Sequence, residues 1–502
     1  MLLELLLAVT LVGAAAVLLA PESWAERLAY YASLLPLLGS LALYASFDAT
    51  GNALTGRPAF ETQIPWFEFG GVAASFHLGL DGLSLPLVIL TTLLTTVAIF
   101  ASRPYVAEKK RVYYALLLFT EFSLIGVFSA LDFLLWFVFW EFVLAPLYLL
   151  VSMYGGPRRT YAAIKFFVYT NVASLVLFLG VSALVYASGT PSFDLGAIAA
   201  AAGTGMGTYY GVPVAQLAFA LLFFGFAVKS AFVPVHTWLP DVYVEAPTPV
   251  TVVLAGVVTK MGTYSLVRFN YTMLPEVAQQ WAPYIAGVAT LTVLYGAFVA
   301  LSQQDAKRLV AYTSIPSMGF LLLGLAAGTP YGLAGAGFQM VSHGLLIAVL
   351  FLGVGILERV TGTRTIDKLS GLADRLPVTA AVVVAGAFGY MGLPLLSGFA
   401  AEFLVFTGSF AATYPGAQVI TAVAMFGIVV VAGYLLYFLQ RVLFGPFAHD
   451  VDGDLGTPSF YEVAPAVVLV VLAVALGTAP DLVLGAIQSA VHPLAAALGG
   501  GL

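Results

Sequence analysis

Apolar stretches of about twenty residues, each long enough to cross the hydrocarbon of a bilayer, recur from one end of this chain to the other. Polar or turn-forming residues separate them. Read between those signals, the pattern predicts helices near 1–20, 25–46, 82–102, 112–130, 132–153, 162–188, 213–235, 247–269, 281–302, 308–328, 331–357, 378–410, 418–443 and 463–485, called spans 1 to 14 below. In the long loop 47–81, apolar and polar residues alternate around Ser75–Leu80 and predict a short hairpin. The first twenty residues have the length of a secretion signal, but Glu4 stands where such a signal carries positive charge. Span 1 is therefore read as retained. The fold class is an all-α polytopic membrane protein of about fourteen transmembrane helices.

Composition narrows the chemistry. Of 502 residues, 61% are hydrophobic and only 9% charged, too few charges to cover a soluble surface of this size. With no cysteine, neither an iron–sulfur cluster nor a disulfide is available. Among His77, His236, His343, His449 and His492, only His343 lies deep in an apolar run, which argues against a haem held by two histidines. The glycine-rich stretch 203–207, GTGMG, lacks the strand–turn–helix context of a nucleotide fingerprint and reads as a loop. No cofactor or metal is expected in this chain, so any electron transfer belongs to other subunits.

The basic residues set an orientation. Loops after odd-numbered spans hold Arg27, the Arg103–Arg111 cluster, Arg158 with Arg159, Lys307 with Arg308, the Arg359–Arg375 group and Arg441. Loops after even-numbered spans hold only Arg57 and Arg268. Because cytoplasmic loops carry the excess of Lys and Arg, both termini are expected on the outer side of the cell membrane. Lys165 lies just inside span 6 and can extend to the cytoplasmic interface. Lys229 and Lys260 cannot do so easily.

Two spans are interrupted. Span 7 carries Pro234 and Pro240 around His236, and span 12 carries Gly392-Leu-Pro394-Leu-Leu-Ser-Gly398. Each is the fourth member of a five-helix block, and an odd block length makes the second block enter from the opposite face. Broken helices at matching positions of inverted repeats mark secondary-transporter architecture, and their freed backbone groups require a hydrated cavity. The expected organisation is three N-terminal spans and the outer loop at 1–111, a first repeat at 112–269, a second at 270–443, and a C-terminal loop and helix at 444–502.

Ionisable residues inside the spans carry the functional signal. Glu141 lies nine residues beyond Asp132, the expected cap of span 5, so at 1.5 Å per residue it is roughly 14 Å deep. Lys229 precedes the break in span 7, Lys260 is mid-span 8, His343 is well inside span 11, and Glu402 follows the break in span 12. A charge at mid-membrane costs about 2.5–3.5 kcal/mol on insertion scales, so such groups do not persist as filler. A buried lysine whose distance from a carboxylate changes can load and release a proton near neutral pH.

Blander readings stand beside these. Glu141 and a lysine could form a structural ion pair, and His343 could be a core histidine bonded to a carbonyl. His236, with Trp238, Asp241 and Glu245, could be an interfacial anchor. Glu121, mid-span 4, is either a further member of the path or a hydrogen-bonded bystander. Lys307, with Asp305 and Arg308, reads most simply as a solvated helix start, and Tyr434 and Tyr437 as packing residues.

Several segments resemble the antiporter-like subunits shared by respiratory complex I and the Mrp-type cation/proton antiporters. The resemblance runs from about Asp81 to Arg441. It is carried by DGLSLP (81–86), LDFLLWFVFWE (131–141), GGPRRTYAAIKFFVYT (155–170), AVKSAFVPVHTWLPDVYVEAPT (227–248), LAGVVTKMGTYSLVRF (254–269), QDAKRLVAYTS (304–314), FQMVSHG (338–344) and GLPLLSGFAAEF (392–403). It implies a proton path in which Glu141 and Lys229 form the loading pair, Lys260 connects, His343 relays and Glu402 ends the line facing a neighbouring subunit. His236 joins the path as a candidate. A glutamate at 402, where related branches carry lysine, together with the chain's length, points to the M-type branch. Ser317 stands where the family commonly has histidine, which takes one titratable relay out of the path and calls for a water bridge.

The function expected is a proton-translocating membrane-arm subunit of a complex I-type quinone oxidoreductase. It would belong to that enzyme without holding a redox centre of its own. The expected partners are the other membrane subunits, above all L-type and N-type neighbours, and the lipid bilayer; no nucleic acid is expected. An Mrp-type Na⁺/H⁺ antiporter subunit is the nearest rival, and Glu402 argues against it. A passive scaffold would not need two mid-membrane lysines. An enzyme acting on its own at the membrane finds no nucleophile–base pair or metal cluster here.

Overall fold

A computed structural model describes residues 2–48, 51–202, 206–449 and 455–500. Residues 203–205 of the glycine-rich stretch lie outside them, so its reading as a loop does too. Among the described residues, twelve helices are long and apolar enough to cross a membrane. Two shorter apolar helices, Val214–Ser230 and Pro377–Tyr390, are the leading halves of interrupted spans 7 and 12. Every predicted span coincides with a helix.

Two elements differ from the prediction. Span 14 does not run through 463–485: its helix is Phe460–Thr478, and a second helix, Asp481–Ala497, follows. Pro480 has no amide hydrogen for the preceding turn, and the apolar run across it conceals the stop. The hairpin is longer than the alternation predicts, with antiparallel strands Ala59–Phe69 and Val72–Leu80. Pro65 sits at an irregularity in the register and breaks the alternation of the first strand. The turn takes Gly70 and Gly71 at φ +61° and +81°, a region open to residues without a Cβ.

Spans 8 (Thr248–Tyr271) and 11 (Pro330–Thr361) form the centre, buried along their whole apolar length. Spans 1, 2, 13 and 14 lie outside and expose most of theirs. Hydrophobic attraction does not select which helices pack together in lipid, so close backbone contact decides. Span 11 supplies it with glycines. Gly344 lies against span 8 at Gly256, Gly335 against Val405 of span 12, and Gly355 against Thr248.

Span 8 is not a uniform α-helix. It widens into π-helix at Leu254–Val258 and again at Leu266–Tyr271. Such bulges free a carbonyl and commonly occur at functional sites.

Candidate functional site: a line of buried ionisable groups

Asp132 caps span 5 (Phe133–Tyr154) as expected, accepting from the amides of Leu134 and Leu135 at 2.9 and 3.2 Å. The cap fixes the start of the helix that carries Glu141. Glu141 is half-buried beside exposed Phe142, near the edge of the chain. Lys229 is buried in the last turn before the span 7 break, its ammonium 5.2 Å from the Trp140 ring centre and 5.6 Å from that of Phe166. Glu141 Oε1 is buried without a hydrogen-bond partner.

The break in span 7 is closed by named groups. Ala231 adopts a left-handed conformation, and the Val233–Pro234 peptide is cis. The Trp238 indole donates to the carbonyl of Val228 at 2.8 Å, and the Thr292 hydroxyl accepts from the amide of Val233 at 3.2 Å. Backbone groups freed inside a membrane are thereby paired within the protein. His236 lies beyond the break, buried, with its ring edge against Tyr295 at 4.8 Å.

At the centre, Lys260 follows the first π-helical turn and donates to the carbonyl of Ala255 at 2.6 Å. The same ammonium meets Nδ1 of His343 on span 11. The core-histidine reading thus gives way to a direct lysine–histidine contact. Between the two lysines, spans 7 and 8 approach closely, Gly262 lying against Ser230. His343 Nε2 makes no hydrogen bond.

Glu402 is buried within the chain itself and is not presented at its surface, while neighbouring Leu395, Phe399 and Phe403 are exposed. Gly392, at φ +67° in the span 12 break, lies under its carboxyl. A Cβ there would come within 2.5 Å of Oε2. Glu121 is fully buried and neither carboxyl oxygen has a hydrogen-bond partner, so the bystander reading loses its bond.

Some charges behave otherwise than the sequence implied. Lys307 is not solvated: it is buried and donates to the carbonyl of Ala246 at 2.9 Å. Around it, Arg364 reaches Asp305 at 2.5 Å and Glu245 and Glu358 at 3.8 Å. A cavity of about 300 Å³ opens among Tyr105, Glu245, Thr248, Lys307, Glu358 and Arg364. Lys165 and Arg308 both bind Asp241, at 2.7 and 3.1 Å.

Arg268 is not a loop residue. It sits in the second π-helical turn of span 8, buried, and pairs with buried Asp81 at 2.5 Å. The DGLSLP segment contains that aspartate, but nothing in the sequence joins residues so far apart. Tyr434 is buried and bonds Thr313 at 3.0 Å, whereas Tyr437 is exposed beside Arg441.

Comparison with known proteins places this arrangement. The family described as NADH:quinone oxidoreductase/Mrp antiporter, TM, matches residues 130–429. A chain 4 of NAD(P)H-quinone oxidoreductase from Trichormus variabilis is 37% identical over 456 residues, which is 90% of this chain and 83% of that one. Subunit M of the F(420)H(2) dehydrogenase from Methanosarcina mazei is 35% identical over 478 residues, 92% and 93% of the two chains. A chain of respiratory complex I from Thermus thermophilus superimposes with a TM-score of 0.88 at 28% identity, covering 100% of both.

Proposed function

Because this chain belongs to the NADH:quinone oxidoreductase/Mrp antiporter membrane family, we propose that it is a proton-translocating subunit in the membrane arm of a complex I-type quinone oxidoreductase. What carries the reading is the row of buried titratable groups joined side chain to side chain at its centre, where Lys260 meets His343. A scaffold needs no such row, because each buried charge opposes insertion by a few kcal/mol.

In this reading Glu141 and Lys229 form the loading pair. Movement of Glu141 relative to Lys229, driven from a neighbouring subunit, changes the lysine's hold on its proton. The proton passes to Lys260, whose ammonium already touches an acceptor nitrogen of His343, and leaves through Glu402. His236 and the cavity beside Lys307 serve entry from the cytoplasm. The breaks in spans 7 and 12 support two inverted repeats, 112–269 and 270–443, with both termini outside. Quinone reduction takes place on other subunits, L-type and N-type chains are the neighbours, and this chain holds no cofactor.

Replacing Lys229 with alanine removes the loaded group. In native membrane vesicles, Lys229→Ala is expected to abolish proton uptake and to slow quinone reduction, since coupled steps stall together. A normally assembled Lys229→Ala complex that pumps at the wild-type rate refutes the path.

A further inference from the structure

We propose that the Tyr390 hydroxyl is the relay that carries the proton from His343 to Glu402, a step left open by the path above and resting on it. Tyr390 is the last residue of the first half of span 12. Its ring stands edge-on to His343, with ring centres 5.8 Å apart and planes 72° apart.

Three polar atoms around that contact are buried and lack partners. Nε2 of His343, the nitrogen turned away from Lys260, makes no hydrogen bond, and neither do the Tyr390 hydroxyl and Oγ of Ser314. The Tyr390 hydroxyl lies beside the hydroxyls of Ser314 and Ser317 without a well-directed bond to either. His343, Tyr390, Ser314 and Ser317 are each at most 4% exposed. Buried polar atoms are almost always paired, so a cluster of orphans marks a site for water or for a transferred proton.

The other side of Tyr390 leads to Glu402. Gly392 follows two residues on, so the two Cα atoms are at most about 7 Å apart. The Glu402 carboxyl rests on Gly392. Tyr390 therefore has the imidazole against its ring, and its backbone is two residues from the turn that carries the Glu402 carboxyl.

A hydroxyl both donates and accepts, so the step needs no tyrosinate. Since Nε2 of His343, the Tyr390 hydroxyl and Oε2 of Glu402 are each without a hydrogen-bond partner, the imidazolium gives its Nε2 proton through water to the phenolic oxygen as the phenol's own proton leaves through water for the Glu402 carboxylate. Tyr390 begins and ends neutral. Ser314 and Ser317 hold the bridging water.

Tyr390→Phe removes one oxygen and keeps the ring. In the intact complex in native membrane vesicles, it is expected to cut proton pumping by about tenfold or more, with assembly and thermal unfolding unchanged. A tyrosine that only packs would leave pumping unmoved, and wild-type pumping by an assembled Tyr390→Phe complex overturns the proposal. Tyr390→Ser opens the site, and the double variant Tyr390→Ser with Ser317→His returns a titratable group to it. Pumping regained by the double variant over Tyr390→Ser supports the relay; no gain counts against it. If Lys229→Ala also pumps normally, the path itself falls; if only Tyr390→Phe does, the relay alone is wrong.

Discussion

Lys260 and His343 show how little separates a structural contact from a functional one at the scale of single residues. Each is buried and each carries a nitrogen lone pair or proton the other can use. A π-helical turn supplies the Ala255 carbonyl that holds the ammonium in place. Glu402 depends in the same way on one small neighbour. Gly392→Ala puts a side chain into a left-handed backbone, costing about 1–2 kcal/mol, and into the Glu402 carboxyl. It is expected to displace that carboxyl and slow pumping while the complex still assembles, as read by vesicle acidification. Glu402→Gln keeps the shape but cannot ionise, and is expected to lower pumping by about tenfold or more. Glu402→Lys should keep part of it, since the family resemblance implies lysine there in related branches.

Elements are held together by charges around the hairpin. His77, in the strand Val72–Leu80, bonds Asp194 at 2.6 Å through Nδ1 and Glu61 at 3.1 Å through Nε2. Burial works against the charged ring, but the two carboxylates outweigh it and hold the His77 pKa above its ordinary value. The sign follows from linkage: stabilisation by this contact is full below the unfolded pKa of about 6.5 and is lost as pH rises through the higher folded value. The hairpin should therefore exchange its amide hydrogens faster, after correction for intrinsic rates, as the outer pH rises through that window, and His77→Gln should abolish the step. Asp81 and Arg268 make a second tie, between the start of span 3 and the end of span 8. Asp81→Ala leaves a buried guanidinium unpaired and is expected to cost about 3–5 kcal/mol, seen as a lower unfolding temperature of the complex. Neutralising both partners together should cost less.

Across the whole molecule, the basic loops predict one sidedness. Cysteines introduced singly at Arg103–Arg111 and at Arg364–Arg375 are expected to face the cytoplasm, and one at Arg57 the outside. The chain has no cysteine of its own, so labelling with an impermeant reagent reads each position cleanly. The reverse pattern would overturn the assigned topology.

Sequence by itself revealed most of the helical spans, the two breaks and the five ionisable residues inside the spans. Span length, proline and glycine, and the cost of charge in hydrocarbon are local properties that one chain reveals. Only the tertiary structure decided which groups meet. Lys260 and His343 are on different helices, as are Asp81 and Arg268, and glycine-mediated backbone contact sets those pairings. Burial of Lys307 was hidden for the same reason: its partners Ala246 and Glu358 come from distant parts of the chain. The helix after Pro480 was hidden because lipid-facing and buried positions are both apolar, so hydrophobicity does not mark where one element ends.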